Sequence, residues 1–379
     1  MIYLDYAATT PMLEESLDTY VQAARTYYGN EQSLHDTGSD AAALLKLCRS
    51  TLAKLIGGEA RGIYFTSGGS ESNYLALHSL LTAHEAKGRH IVTTPLEHAS
   101  IRNYFQELAK TGYDITYLPV DAAGCVDLSQ LEQSLREDTV LVSIQHANSE
   151  IGTIQPIARI GKLLKEYGIL FHTDCVQTFG KLPIQAEEMG IDSLSISAHK
   201  LYGPKGVGAC YISPRVCWKP LFDGTSHENG FRPGTVNVPG IAAFLTAAQY
   251  SCQGMTQEAV RMQHLRKLLL AELAEVPSVS VLGHPEQVLP HIAGLLIHGM
   301  EGQYTMLECN RRGIAISVGS ACQIGKQEPS RAILALGRTA AEAKQYVRLS
   351  FGRHTTEQHI REVAASLQAI IHNFFGGAV

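Results

Sequence analysis

Lys200 has the clearest chemical potential of any residue in this chain. It sits in SAHKLYGPKG, Ser197 to Gly206, between an apolar strand pattern and a Gly/Pro-rich turn. A lysine there stands at the carboxyl edge of an open α/β sheet, where ligands bind. By itself such a lysine is more often a solvated surface residue, but three other segments lead to the same edge. In FTSGGSESN, Phe65 to Asn73, a strand runs through Ser67-Gly68-Gly69-Ser70 into a helix. Backbone N–H groups at such a helix start bind phosphate, and the hydroxyls add donors. A nucleotide P-loop would need GK[ST] there. This helix opens with Ser70-Glu71-Ser72, which disfavours an ATP site. In HTDCVQTFG, His172 to Gly180, Asp174 follows a strand; alone it could be a helix N-cap. It precedes Lys200 by 26 residues, one strand–helix–strand step, which suits two residues meeting on neighbouring strands. In PLEHAS, Pro95 to Ser100, His98 follows a further strand. A lone histidine in that place is usually unremarkable, yet an imidazole at this edge can stack on a ring and move protons near neutral pH.

These residue types belong together in one kind of chemistry. An acid paired with a pyridine nitrogen keeps that nitrogen protonated and strengthens the ring as an electron sink. A lysine amine, that acid, a phosphate-binding turn and a stackable imidazole form the set that pyridoxal 5'-phosphate (PLP) requires.

The elements that must position them alternate. A helix is expected over Asp40–Ile56, with Leu44, Leu45, Cys48, Leu52, Leu55 and Ile56 near 3.6 spacing and Gly57-Gly58 closing it. Strands are expected at Ile63–Phe65, His90–Thr94, Asp114–Leu118, Val140–Gln145, Ile169–Thr173 and Ser193–Ser197. Helices lie between them, one from about Glu71 and one over Ile157–Glu166, capped by Gly168. Such alternation implies an α/β fold with a mostly parallel sheet covered on both faces. The tract Phe222–Gly240, with Gly224, Gly230, Pro233, Gly234, Pro239 and Gly240, reads as a long ordered loop. Helices follow at about Val260–Leu273 and at Glu357–Phe374, whose Ile360, Val363, Leu367, Ile370, Ile371 and Phe374 make one apolar stripe.

A chain of 379 residues suggests two domains. The expected division is a large domain over 15–250 and a smaller α+β domain from 1–14 with 251–379. A hydrophobic share of 45% against 18% charged residues suits a large core. The net charge of −5 and the lack of any basic run argue against nucleic acid as a partner. MIYLDYAATTP has neither the basic start nor the apolar run of a signal peptide, and no stretch approaches the roughly 18 apolar residues of a membrane span. A cytoplasmic location is expected. The eight cysteines form no CxxC pair, which argues against a zinc ribbon, and no metal site is expected. Seven lie mostly in apolar or helical contexts. Cys322, in ISVGSACQIGKQEPS, is flanked by Gly319, Ser320 and Gly325 and reads as a loop residue, where a thiolate can reach its target.

The chain resembles the class V aminotransferase family of fold-type I PLP enzymes, and within it the cysteine desulfurases of the NifS/IscS type. The likeness runs along nearly the whole chain. It starts with LDYAATTP (4–11), YGN (28–30), FTSGGSESN, EH and NSEIGTIQP, and continues through HTDCVQ, SAHKLYGPKG, HENGFRPGT, GSAC and VRLSFGR. The resemblance implies PLP held covalently by Lys200, with Asp174 on the pyridine nitrogen, His98 stacked on the ring and Gln177 beside the ring oxygen. Gly69, Ser70, Ser197 and His199 match the phosphate cup. Thr235 matches a residue that reaches the phosphate of a partner subunit, which implies a homodimer. Arg348 matches the arginine that grips the substrate carboxylate, a task suited to a guanidinium fork; Asn30, in YGN, joins it at the substrate. Cys322 matches the cysteine that accepts sulfur from L-cysteine as a persulfide, with His98 as a nearby proton acceptor. The sulfur would pass to an acceptor protein serving iron–sulfur clusters, other sulfur-containing cofactors or tRNA. The alternatives are a selenocysteine lyase or other class V reaction, and a non-catalytic relay or scaffold.

The chain also departs from its relatives. Ser149 stands where the family carries a cofactor-contacting Asn, and its shorter side chain reaches the ring oxygen only through water, if at all. Cys175 follows Asp174 where Ala is common, and Gly224-Thr225-Ser226 replaces a glycine triplet. Gln323-Ile324-Gly325-Lys326-Gln327 replaces a run of small residues, which bears on partner recognition more than on chemistry.

Overall fold

The computed structural model describes residues 1–319 and 329–376. In chain order its first strands are β1 (Ile2–Tyr3), β2 (Ile63–Thr66), β3 (His90–Thr93), β4 (Asp114–Tyr117), β5 (Thr139–Ser143), β6 (Leu170–Asp174), β7 (Ser193–Ser197) and β8 (Gly208–Ile212). Beyond residue 250 come β9 (Val279–Leu282), β10 (Ile292–Ile297), β11 (Ile314–Ala315) and β12 (Tyr346–Ser350).

Seven strands form one sheet in the order β2-β8-β7-β6-β5-β3-β4. The run from β7 to β4 is parallel. Only β8 departs, lying antiparallel to both β7 and β2. Helices cover both faces, so β5, β6, β7 and β8 are buried at every position and need no apolar–polar alternation. The chain leaves β3 outward to β4, returns to β5, and then proceeds the other way through β6 and β7. That reversal opens a crevice at the carboxyl ends of β3 and β5.

A second, antiparallel sheet has the order β12-β10-β9. It packs on helices Met255–Leu273 and Glu357–Gly376, with Leu265, Leu269, Leu295, Val347, Val363 and Leu367 in one apolar cluster. The large sheet has a separate core around Phe171, Phe179, Leu194 and Phe244. β1 pairs in parallel with β11, Ile2 opposite Ile314. The first residues therefore sit beside the last strands, and residues 5–8 cross from there to the large sheet.

Several boundaries differ from those expected. Helix Val238–Gln253 begins inside the tract that reads as a loop, because the Asn237 side chain accepts from Gly240 N at 3.0 Å and Pro239 fits the first turn. Within the same tract His227–Gly230 forms a single 3-10 turn. The helix expected from Glu71 spans Gly69–Ala83, and the one expected from Asp40 starts at Asp36, capped by the His35 ring on Gly38 N. No helix among the described residues is long and apolar enough to cross a membrane.

Candidate active site

Asp174 is the last residue of β6, and Lys200 follows β7, the adjacent strand. The two therefore meet at the same sheet edge, as their spacing suggests. The Lys200 Nζ donates to the carbonyls of Ala7 and Ala8, at 2.7 and 2.8 Å. Gln177 Nε2 donates to Ala7 O at 3.0 Å, so the amide and the lysine converge on one carbonyl 170 and 193 residues away in sequence. Asp174 is buried. Its Oδ1 accepts from Val176 N at 2.9 Å and its Oδ2 from Asn73 Nδ2 at 2.8 Å.

His98 caps helix Ala99–Lys110, its Nδ1 accepting from Ser100 N at 3.2 Å and lying 2.8 Å from Ser100 Oγ. Burial holds its pKa below the ordinary value, Lys200 and Arg102 push the same way, and Asp174 opposes them. Asp174 and Lys200 thus both act on His98 electrostatically.

The start of helix Gly69–Ala83 has no side-chain cap, so its first N–H groups remain available. Gly68 has φ 152° and Gly69 has no room for a side chain: a Cβ there would lie 2.5 Å from Val176 Cγ2. This close approach brings the helix start against the turn that carries Asp174. Ser197 is buried beside it, while Ser70 is exposed. His199 Nδ1 lies 3.1 Å from Thr9 Oγ1, and burial with Lys200, Lys205 and Lys181 takes its pKa to about 4. It is a neutral hydrogen-bonding group at physiological pH.

Asn148 is spent on its own turn. Its Oδ1 accepts from Glu150 N and Ile151 N, at 2.9 and 3.0 Å, and its Nδ2 donates to Leu96 O at 3.2 Å. It does not stand in for an asparagine at position 149. The Ser149 carbonyl accepts from Arg348 Nη1 at 3.0 Å. Arg348 Nη2 pairs with Asp5 at 2.7 Å, and its buried Nε has no partner among the described residues. Arg348 is therefore already an ion-pair member, with one donor edge in reserve.

Asn30 and Thr235 are exposed. Asn30 Oδ1 accepts from Gln32 N at 2.9 Å. Its segment docks on the 226–227 turn through Ser226–Gln32 and His227–Glu31 contacts, both 2.9 Å. Cys322 lies outside the described residues. Of the seven described cysteines, Cys48, Cys125, Cys175, Cys210, Cys252 and Cys309 have thiols that burial pushes up to about 11 or 12. Those six stay protonated, and only Cys217 is exposed.

The model of the class-V aminotransferase family matches residues 2–363. The chain belongs to that family. A Bacillus subtilis protein, provisionally named cysteine desulfurase NifS, is 49% identical over 99% of this chain and 94% of its own length. The cysteine desulfurase IscS of Dictyoglomus turgidum is 40% identical over 98% and 94%. A solved NifS-like protein superposes with a TM-score of 0.91 at 32% identity, covering 99% of both chains.

Class V aminotransferases depend on PLP, and the donor set here fits that group. An uncapped helix start with Ser197 and His199 suits a phosphate, and buried Asp174 suits a protonated pyridine nitrogen. Gln177 offers a second amide hydrogen beside Lys200. Four participants carried no signal in the sequence: the Ala7 and Ala8 carbonyls, Asp5 and Asn73. Backbone acceptors are independent of residue type, and Asn73 reads as ordinary helix. Lys181 is a fifth. Its Nζ donates to Gln177 O at 3.2 Å, and burial with the nearby Lys200 charge takes its pKa to about 7. With Lys200, Tyr202 and His291 it lines a cavity of about 350 Å³ that borders Lys200 but not Asp174, His98 or Arg348.

Proposed function

We propose that this chain is a PLP-dependent cysteine desulfurase that converts L-cysteine to L-alanine and receives the sulfur on Cys322 as a persulfide. The observation that carries this reading is the convergence of Lys200, Asp174 and His98 beside an uncapped, glycine-started helix. The cysteine desulfurase names of relatives that span nearly the whole chain support it.

When bound, PLP supplies the electron sink that makes the substrate's α-proton and C–S bond labile. The residues of the chain do the rest. Lys200 would hold the cofactor covalently and move the α-proton at Nζ. Asp174 would pair with the ring nitrogen and Gln177 with the ring-oxygen side, while the Gly69 and Ser70 amides, Ser197 and His199 receive the phosphate. Arg348 would take the substrate carboxylate, aided by Asn30. The thiolate of Cys322 attacks the substrate sulfur: an S–S bond forms, the C–S bond breaks, and its electron pair stays on carbon, which takes a proton to give alanine. Thr235, exposed in its own chain, would complete a neighbour's cup in a homodimer. The division into 15–250 and 1–14 with 251–379 would leave the cofactor between the two units. Seven described free thiols suit a reducing cytoplasm. The product sulfur would serve an acceptor protein for iron–sulfur clusters, other cofactors or tRNA.

The test is direct. The protein with PLP, L-cysteine and a reductant should form alanine and sulfide in equal amounts, and mass spectrometry without reductant should find one extra sulfur on Cys322. Bound PLP with no alanine would sink the reading.

Ser149 sets a further expectation. Ser149→Asn restores the longer amide, and one added hydrogen bond should tighten PLP retention about 2- to 10-fold. Dialysis against a PLP scavenger measures it; equal loss from both proteins would show that position 149 does not touch the cofactor.

A further inference from the structure

One helix carries two functions a turn apart. Its first residues, Gly69 and Ser70, form the candidate phosphate cup, and its fifth, Asn73, is fully buried. Asn73 Nδ2 lies 2.8 Å from Asp174 Oδ2 and 3.0 Å from Ser100 Oγ, and its Oδ1 lies 3.2 Å from His172 Nε2. The amide orientation follows from chemistry, since a carboxylate only accepts and a flipped amide would set two oxygens against each other. Asn73 therefore donates to Ser100 Oγ. A hydroxyl has one proton, and the acceptor at 2.8 Å is His98 Nδ1, so Ser100 donates onward. Ser100 N also donates to that Nδ1, at 3.2 Å. An imidazole nitrogen that receives two donors carries no proton of its own.

We propose that Asn73 and Ser100 are positioning residues that fix the proton of neutral His98 on Nε2 and tie that ring to Asp174. The inference rests on the desulfurase reading only for the use made of His98. With Nδ1 occupied, His98 enters a reaction as a proton donor at Nε2, and it accepts there only after it has given. This reverses the role of proton acceptor expected from its sequence context. The relay is anchored at its far end as well. His172 Nε2 donates to Asn73 Oδ1, His172 Nδ1 meets Ser193 Oγ at 3.1 Å, and burial takes the pKa of His172 to about 3. His172 thus stays neutral and holds the amide in one orientation at physiological pH.

Among the described residues, the charged groups that act on His98 are Asp174 from β6, Lys200 beyond β7 and Arg102 from its own helix. All three remain when Ser100 loses its hydroxyl. That hydroxyl, held as a donor by Asn73, favours an unprotonated Nδ1 and would have to turn to accept from a protonated one, so its loss favours the imidazolium. In PLP-loaded protein carrying ¹⁵N-histidine, with His98→Gln to assign the signal, wild type should show unprotonated Nδ1 and protonated Nε2. Ser100→Ala should raise the His98 titration midpoint by about half a unit to one unit. Asn73→Ala should move it the same way and also change the visible band of bound PLP, because Asp174 loses a donor. Ser100→Ala leaves Asp174 and His172 in place on Asn73, so it should fold even where Asn73→Ala does not. A wild-type proton on Nδ1, or an unchanged midpoint in Ser100→Ala, would overturn the proposal. The titration needs no substrate. A protein that makes no alanine yet shows these shifts would refute the desulfurase reading and keep this one.

Discussion

Cys322→Ala should retain the full colour of bound PLP and lose alanine formation from L-cysteine by about 10³-fold or more, the scale on which removing a nucleophile shows. No described cysteine is placed to substitute. Six have thiols pushed up to about 11 or 12 by burial, which leaves almost no thiolate near neutral pH. Cys217, though exposed, lies in the segment that follows β8, the strand paired on its far side with β2. Absorbance and alanine yield, measured on the same sample, separate cofactor binding from sulfur transfer. Unchanged activity would remove Cys322 from the mechanism. Selenocysteine is an informative second substrate, because its selenium leaves more readily than sulfur. A variant inactive on cysteine but active on selenocysteine would still assign Cys322 to sulfur capture.

Lys200→Ala should lower alanine formation by about 10²–10⁴-fold, the usual contribution of a positioned acid–base group, and should also abolish the visible band of lysine-held PLP. The fold should survive. The Lys200 side chain is half-buried at the sheet edge, and of the two carbonyls it contacts, Ala7 O keeps the Gln177 donor. Thermal unfolding of the apo protein close to that of wild type, with no band on adding PLP, is the expected pair of results. A retained band would mean that another amine holds the cofactor. Lys181, the other lysine lining the cavity beside Lys200, would then be the one to replace.

The sequence made the sheet edge legible because strand–turn motifs advertise themselves. Asp174 and Lys200 each follow a short apolar run, and 26 residues is the length of one crossover, so their adjacency could be read in advance. The phosphate cup was legible for the same reason, although its helix starts at Gly69, two residues before the expected Glu71. The loop expected over Phe222–Gly240 ends three residues early, at Asn237, because Asn and Pro punctuate loops and also open helices, and only the Asn237–Gly240 contact separates the two. Arg348 was legible as a charge but not as half of a pair, since Asp5 lies 343 residues away and no local pattern links them. The direction of the His98 ring was hidden more deeply. It depends on an asparagine and a serine in different helices, each ordinary in its own neighbourhood.

The crossing of residues 5–8 has a consequence for how the protein is made. Asp5 is synthesised 343 residues before its partner Arg348. At ribosomal speeds of about 5–20 residues per second, that interval is roughly 20–70 s. The central sheet can form during this time, and Gln177 and Lys200 can already engage Ala7 and Ala8, whereas the Asp5–Arg348 pair closes only when β12 arrives. The lysine end of the site can therefore be in place before the ion pair that orients Arg348 is made.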